Sequence, residues 1–395
     1  MVIFFGVFFL VFGLLNYYIY LRASQSIPNN HSQKILFAVI FVFVSTSYLT
    51  GKGFQKLGYT TPADSLIWIG SYWFAFMALF IVSIILLDLL RLFNHIFHIS
   101  PLWIIQNYLL TKKIAACVVI VFSLGLIIYG SFNANNIKLK KLQINISKHA
   151  GEMTHPLIPS QEGNKNLNEL RIAYASDLHL GAIGSRERLT QIVNLINSIN
   201  PDIVLLGGDI TDERPEPVIA YNMGEEFKKI KSKYGIFAIT GNHEYIGHAE
   251  SSIAYLQKCG VRYLRDEAIT IDKCFHLVGR EDLSARMFAG IIRKPLDKLL
   301  QGLDNSKPVI LMDHQPVGLA DARNHNIDLQ LSGHTHHGQL FPINLFTSMI
   351  YDIDWGYKLI SGTHYYVSCG CGIWGPPVRI GSTPEVVEIL VKFRD

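Results

Sequence analysis

Four apolar runs fill the first third of this chain, and they constrain its fold more than any other feature. Residues 1–21 carry no charged side chain and are dense in Phe, Leu, Val and Ile. Residues 35–51, 66–87 and 114–132 are likewise free of Asp, Glu, Lys and Arg. A hydrocarbon core about 30 Å thick takes about 20 helical residues to cross. Backbone N–H and C=O groups in lipid must pair within their own segment, so these runs are expected to be helices. The first lacks the basic start, short apolar core and small-residue cleavage site of a secretory signal, and reads as a retained span. The second is the shortest and ends in Gly51, so a buried soluble helix is the alternative there. Composition points the same way. Hydrophobic residues make up 49% of the chain and charged residues 17%, against about 25% charged in ordinary soluble domains. The expected organisation is a four-helix transmembrane region over 1–132, a polar linker over 133–168, and a catalytic domain over 169–395.

From Leu170 the pattern changes. Arg171–Ser176, Ile203–Leu206, Ile236–Thr240, Val309–Met312, Leu329–Leu331, Tyr365–Ser368 and Val386–Val391 read as strands, and 186–199 and 216–232 as helices. Residues Leu189, Ile192, Val193, Ile196 and Ile199 trace one face of the first of these helices. Strands alternating with helices indicate a layered α/β domain.

The chemistry-bearing residues gather immediately after those strands. They occur as Ser176-Asp177-Leu178-His179, Gly208-Asp209-Ile210-Thr211-Asp212, Gly241-Asn242-His243-Glu244, Asp313-His314, and Gly333-His334-Thr335-His336-His337. Ligands of open α/β sheets bind at the carboxyl ends of the strands. Carboxylate oxygens mixed with imidazole nitrogens suit Zn, Mn or Fe rather than calcium. Each motif taken singly is also an ordinary turn, since Gly, Asn and Asp tolerate unusual backbone angles. Five in one domain, in this order, are not explained by turns.

The ordered set Asp-x-His, Gly-Asp-x-x-Asp, Gly-Asn-His-Glu, His, Gly-His-x-His resembles the calcineurin-like metallophosphoesterase superfamily over about residues 170–395, in particular its membrane-linked bacterial members and the enzymes that cleave the pyrophosphate of UDP-diacylglucosamine. The resemblance implies a four-layer α/β/β/α sandwich and two divalent metal ions, Mn, Zn or Fe. One ion would be held by Asp177, His179 and His336, the other by Asn242, His314 and His334, with Asp209 bridging them. It implies hydrolysis of a phosphoester by a hydroxide held between the metals, with His243 as general acid and Asp212 orienting it. Glu244 is expected to position His243 or cap a helix. His337, next to the ligand pair, is expected to face away on an alternating strand and to pack or touch substrate. His276, His325 and His364 carry no motif.

Four spans point to a membrane-proximal or lipid-linked phosphodiester or pyrophosphate, with the bilayer itself as a partner. The aromatic stretch 340–362 is expected to cap the substrate, face the membrane, or pack in the core. The alternatives are a broad-specificity phosphatase or nucleotide phosphodiesterase tethered to the membrane, and a non-catalytic sensor module; retention of every motif residue weighs against the sensor. Net charge is only +4, and no basic, aromatic-rich groove supports nucleic-acid binding. The five cysteines include a Cys-Gly-Cys pair whose spacing fits neither a redox nor a zinc motif, and they read as packing residues. An even number of spans puts both chain ends on one side, expected to be the outer face of a bacterial cytoplasmic membrane. The lysines and arginines flanking the spans are nearly balanced, five on one side and six on the other, so the positive-inside rule decides nothing. The basic pair Lys112-Lys113 before the last span resembles the start of an export signal and points outward, while the Lys138–Lys141 patch points inward.

Overall fold

The computed structural model describes residues 2–27, 30–148, 150 and 168–393. It divides into two compact units, Met1–Phe132 with Gly375–Val378, and Asn133–Trp374 with Arg379–Asp395.

Four long helices, Val2–Ser24, His31–Lys56, Thr60–Phe97 and Tyr108–Ala134, form the first unit, and each is long and apolar enough to cross a membrane. Every helix outruns its apolar sequence run, because backbone hydrogen bonding continues through polar flanks that the lipid criterion leaves out. The second and third helices pack through small residues, with Ser45, Ser47 and Gly51 of one and Ala63, Ser71 and Ala75 of the other buried. Small side chains let helix backbones approach closely where no hydrophobic effect drives association. Asn16 is satisfied inside the bundle: its amide donates to the Phe12 carbonyl and its oxygen accepts from Trp73 Nε1.

The second unit contains twelve strands among its described residues: β1 (Lys138–Ile146), β2 (Glu169–Ala175), β3 (Ile203–Leu206), β4 (Ile236–Ala238), β5 (Val261–Tyr263), β6 (Glu267–Ile271), β7 (Phe275–Gly279), β8 (Val309–Met312), β9 (Leu329–Ser332), β10 (Gly356–Ile360), β11 (Thr363–Val367) and β12 (Glu385–Phe393). They form two six-stranded sheets, ordered β1-β12-β2-β3-β4-β5 and β10-β11-β9-β8-β7-β6. Both are mixed, with β12 antiparallel to β2 in the first, and β6 and β10 antiparallel to their neighbours in the second.

Strand alternation builds the layers. In β2, Ile172 and Tyr174 enter the core between the sheets, while Ala173 and Ala175 face the helices outside. Across that core stand Phe275, Leu277, Ile310, Met312, Leu329 and Leu331. The outer face of the first sheet is covered by helix Arg186–Ile199, which buries Leu189, Ile192, Val193, Ile196 and Ile199. Each such side chain contributes roughly 1.5–3 kcal/mol on burial. Ser185 caps that helix by accepting from the Arg188 N–H, and Asn200 ends it in a left-handed conformation. The second sheet is covered on its outer face by Leu296, Leu299, Leu319 and Ala322. The four-layer α/β/β/α sandwich expected from the motifs is the fold observed.

Three local expectations need correction. The stretch read as linker contributes β1, an edge strand that pairs parallel with β12 from Lys138↔Glu385 to Ile146↔Phe393. Its exposed lysines obscured it, although Lys141 reaches Glu388 and Lys148 reaches Asp328; residues 151–167 of that stretch lie outside the described ones. The helix expected over 216–232 breaks into Glu216–Ala220 and a 3-10 turn, Met223–Lys229, separated by Asn222 at φ 49°. The Gly-His-x-His segment is not a strand, since β9 stops at Ser332 and a tight 3-10 turn follows over His336–Gly338.

Candidate metal centre

The loops leaving β2 and β3 are zipped together by backbone bonds: Asp177 N–H to the Gly208 carbonyl, His179 N–H to that of Asp209, and Leu180 N–H to that of Ile210. The side chains at these strand ends are aimed by unusual backbone. Asp177, His179, Asp209, His334 and His336 all have positive φ, between 47° and 72°. Such angles cost free energy in non-glycine residues and concentrate where function demands a fixed geometry. Gly208 is at φ 90°, and a Cβ there would stand 2.7 Å from His314 Nδ1. The Gly-Asp dipeptide therefore serves close approach as well as turning.

Three overlapping groups of donors result: Asp177, His179 and His336; His179, Asp209 and His243; and Asp209, His314 and His334. Within each group the ligand atoms lie within 4.8 Å of one another, and Asp209 and His179 are each shared by two groups. His179 Nε2 and His336 Nε2 face each other at 2.9 Å. His314 Nδ1 donates to the Gly207 carbonyl at 2.7 Å, which leaves Nε2 directed at Asp209 Oδ2, 3.1 Å away. His334 Nδ1 lies 2.9 Å from Asn242 Oδ1. Asp177 Oδ2 and His179 Nδ1 are buried without a hydrogen-bond partner. Buried polar atoms are almost always paired in native proteins. Imidazole nitrogens and carboxylate oxygens gathered within 4.8 Å in groups that share Asp209 and His179 fit a pair of small divalent cations, and imidazole with carboxylate suits Zn, Mn or Fe.

The electrostatics follow from this crowding. Burial opposes ionisation of Asp209, but the His314, His243 and His179 imidazoles hold its carboxyl well below the usual range. Burial likewise opposes the charged form of His243, yet the Asp209 charge and the 2.9 Å bond from Nδ1 to Asp212 Oδ1 raise it to about 9. The His179 and His243 imidazoles hold Asp212 below the ordinary carboxylate range against its desolvation.

All nine motif residues expected at the site converge there. Glu244 of the Gly-Asn-His-Glu motif caps the short helix Asn242–Ile246, one of its two expected roles, and one further residue, Arg379, emerges. Glu244 is fully buried; one carboxylate oxygen accepts from the Asp209 and Gly241 N–H groups, the other from those of Ile210 and Thr211. It ties the Gly-Asp loop to the Gly-Asn-His loop. Its burial, followed by the nearby Asp209 charge, pushes its carboxyl up. Arg379 is also fully buried; it donates to the Cys369 and Gly372 carbonyls, and its Nη2 lies 3.1 Å from His336 Nδ1. A lone arginine 43 residues beyond the last motif gave no signal in the sequence. His337 bonds Asp354 through Nδ1 at 2.8 Å and packs against Trp355. Of the remaining histidines, His276 and His364 are buried and hydrogen-bonded to backbone carbonyls, and His325 Nδ1 bonds the Asp321 carbonyl. The buried Cys371 thiol is pushed up to about 12, chiefly by burial, which leaves it inert at neutral pH. The 340–362 stretch is split: helix Ile343–Ile350 buries no residue, with Met349 82% and Ile350 73% exposed, while Leu340 and Ile353 are buried and Ile353 packs in the core outside the second sheet. Tyr351, just beyond that helix, meets the His334 ring edge-on at 6.2 Å between centroids.

Residues 170–338 match the family of calcineurin-like phosphoesterases. A metallophosphoesterase of Aquifex aeolicus is 33% identical over 226 residues, covering 57% of this chain and 85% of that protein. The chain belongs to the calcineurin-like phosphoesterase family. Other metallophosphoesterases of this family extend the likeness. A transmembrane protein with a metallophosphoesterase domain from Danio rerio is 33% identical over 250 residues, and the chain spans 56% of its length, little over half. A metallophosphoesterase of Campylobacter jejuni is 26% identical over 391 residues, 97% of this chain and 96% of that one.

Proposed function

We propose that this protein is a metal-dependent phosphoester hydrolase acting on a lipid-linked or membrane-proximal phosphodiester or pyrophosphate. The observation that carries the reading is Asp209, a buried carboxylate shared by two donor groups whose other members are imidazoles, His179 with His243 and His314 with His334, the last lying 2.9 Å from the Asn242 amide oxygen. Asp177, His179 and His336 would hold one ion, Asn242, His314 and His334 the other, and Asp209 both. Bound there, the ions would supply positive charge to the phosphoryl oxygens and lower the pKa of water.

The chain's own groups do the rest. His243, kept protonated by Asp209 and Asp212, gives its proton to the leaving oxygen. Asp212 accepts from Nδ1 and so fixes which way the ring faces. Glu244 keeps Asp209 and Asn242 in register by holding the backbone of both loops. Trp374, whose ring centroid lies 6.3 Å from that of His243, screens the imidazole on one side.

Four helices of spanning length are more anchor than a freely soluble substrate requires, which supports the lipid-linked reading, as does the exposed apolar helix Ile343–Ile350. We place the catalytic domain on the outer face of the membrane. With Lys138, Lys140 and Lys141 in a folded strand, the short loops hold Arg22, Lys34, Arg91, Lys112 and Lys113 against Lys52 and Lys56. Positive charge favours the cytoplasmic side. The Campylobacter relative, matched along nearly the whole chain, supports a bacterial membrane.

The test is hydrolysis by the full-length protein in liposomes, stripped of metal and then given Mn or Zn, on bis-p-nitrophenyl phosphate, soluble nucleotides and lipid-extract phosphoesters. Metal-restored activity on a membrane phosphoester is the expected result. Undiminished activity after chelation would sink the two-metal reading. Efficient nucleotide hydrolysis with no attack on any lipid would reduce the helices to a tether.

A further inference from the structure

We propose that the transmembrane unit contains a dedicated binding site for an anionic phospholipid. A cavity of about 560 Å³ opens among the four long helices, within the ~300–1,000 Å³ range of ligand sites. Its wall follows the third helix from Trp73 to Arg91, about 27 Å at ~1.5 Å per residue. That length suits an extended chain molecule better than a compact solute.

The two ends of this cavity differ in chemistry. Toward the middle of the bundle the lining is aromatic and apolar, including Phe41, Trp73 and Phe80. The other end gathers Arg22 from the last turn of the first helix, Arg91 near the end of the third, and Lys112 and Lys113 near the start of the fourth. Among the described residues, the carboxylate bonded there is Asp88, which accepts from Arg22, Arg91 and Tyr18. Four cations facing one carboxylate leave surplus positive charge where these helices end. Basic pockets between transmembrane helices select anionic headgroups by this arrangement. A free phosphate would match only the basic end, and a zwitterionic lipid has no net charge to answer it. One molecule bearing a phosphate and an acyl chain satisfies both ends. No residue of the metal centre takes part, so catalytic activity does not bear on the proposal.

The test is native mass spectrometry of the full-length protein in detergent, titrated with phosphatidylglycerol or phosphatidylcholine. Phosphatidylglycerol should be retained preferentially, and inorganic phosphate should not displace it. The pair Lys112→Gln and Lys113→Gln should weaken retention roughly 20- to 30-fold, at roughly fivefold per cation, while Lys112→Arg with Lys113→Arg retains it. Ala116→Phe, which narrows the groove without changing charge, should also reduce retention, and circular dichroism checks that each variant remains helical. Equal retention of the two lipids overturns the proposal. So does displacement by phosphate, or retention unchanged in both the glutamine pair and a helical Ala116→Phe.

Discussion

Glu244→Gln gives the most direct test of how the catalytic loops are held. The native carboxylate accepts four backbone N–H groups at 2.7–3.0 Å, two on each oxygen. Glutamine keeps the shape but replaces one oxygen with an amide that can only donate. Whichever way it turns, two buried N–H groups lose their acceptor and face another donor. Leaving a buried donor unsatisfied costs about 1–3 kcal/mol, so the expected loss is about 2–6 kcal/mol. Relief of the repulsion between Glu244 and Asp209 works against this and favours the lower half of that range. For a domain of this size each kcal/mol shifts Tm by about 2–4 °C, so a drop of roughly 4–16 °C is expected in the metal-free protein. Metal should weaken as well, because the Asp209 and Gly241 backbone held by one oxygen carries the shared carboxylate and the Asn242 loop. Calorimetry together with metal content per chain reads both effects. A Tm within about 1 °C of wild type, with full metal content, would refute the clamp.

Asp209→Asn should remove more metal and more activity than Asp212→Asn, since only Asp209 lies between two donor groups; equal metal loss would show that the shared ligand is misassigned. His243→Asn should keep its metal and slow turnover by about 10²–10⁴-fold, with a smaller loss for leaving groups of low pKa that depart without a proton. In the metal-free protein His243, followed by NMR, should stay protonated up to about pH 9, and Asp212→Asn should lower that midpoint. A histidine raised in the folded state stabilises fully below its unfolded value of about 6.5, and that contribution is lost as pH rises through about 9. The metal-free protein should therefore lose stability across that window, and the slope should flatten in His243→Asn.

The sequence by itself determined the parts whose signal is local. A charge-free run of about 20 residues has few ways to fold other than a helix in lipid, and strand ends punctuated by Gly-Asp, Gly-Asn-His and Gly-His-x-His named the residues that converge. Helix Arg186–Ile199 was legible in the sequence because one face carries its apolar positions, and the structure adds the Ser185 cap. Other features depend on partners far along the chain. β1 looked like a basic linker because an edge strand keeps its lysines in water, and only its pairing with β12, more than 240 residues away, makes it part of the sheet. Glu244 was marked by its motif as a cap or positioning residue, but its tie to the Asp209 loop runs through backbone N–H groups, which every residue has. Arg379 reaches His336 only once β12 has brought its loop back beside β2. The residues that chemistry requires could be read from their types and spacing. How they are held in place could not, because that lies in what surrounds them after folding.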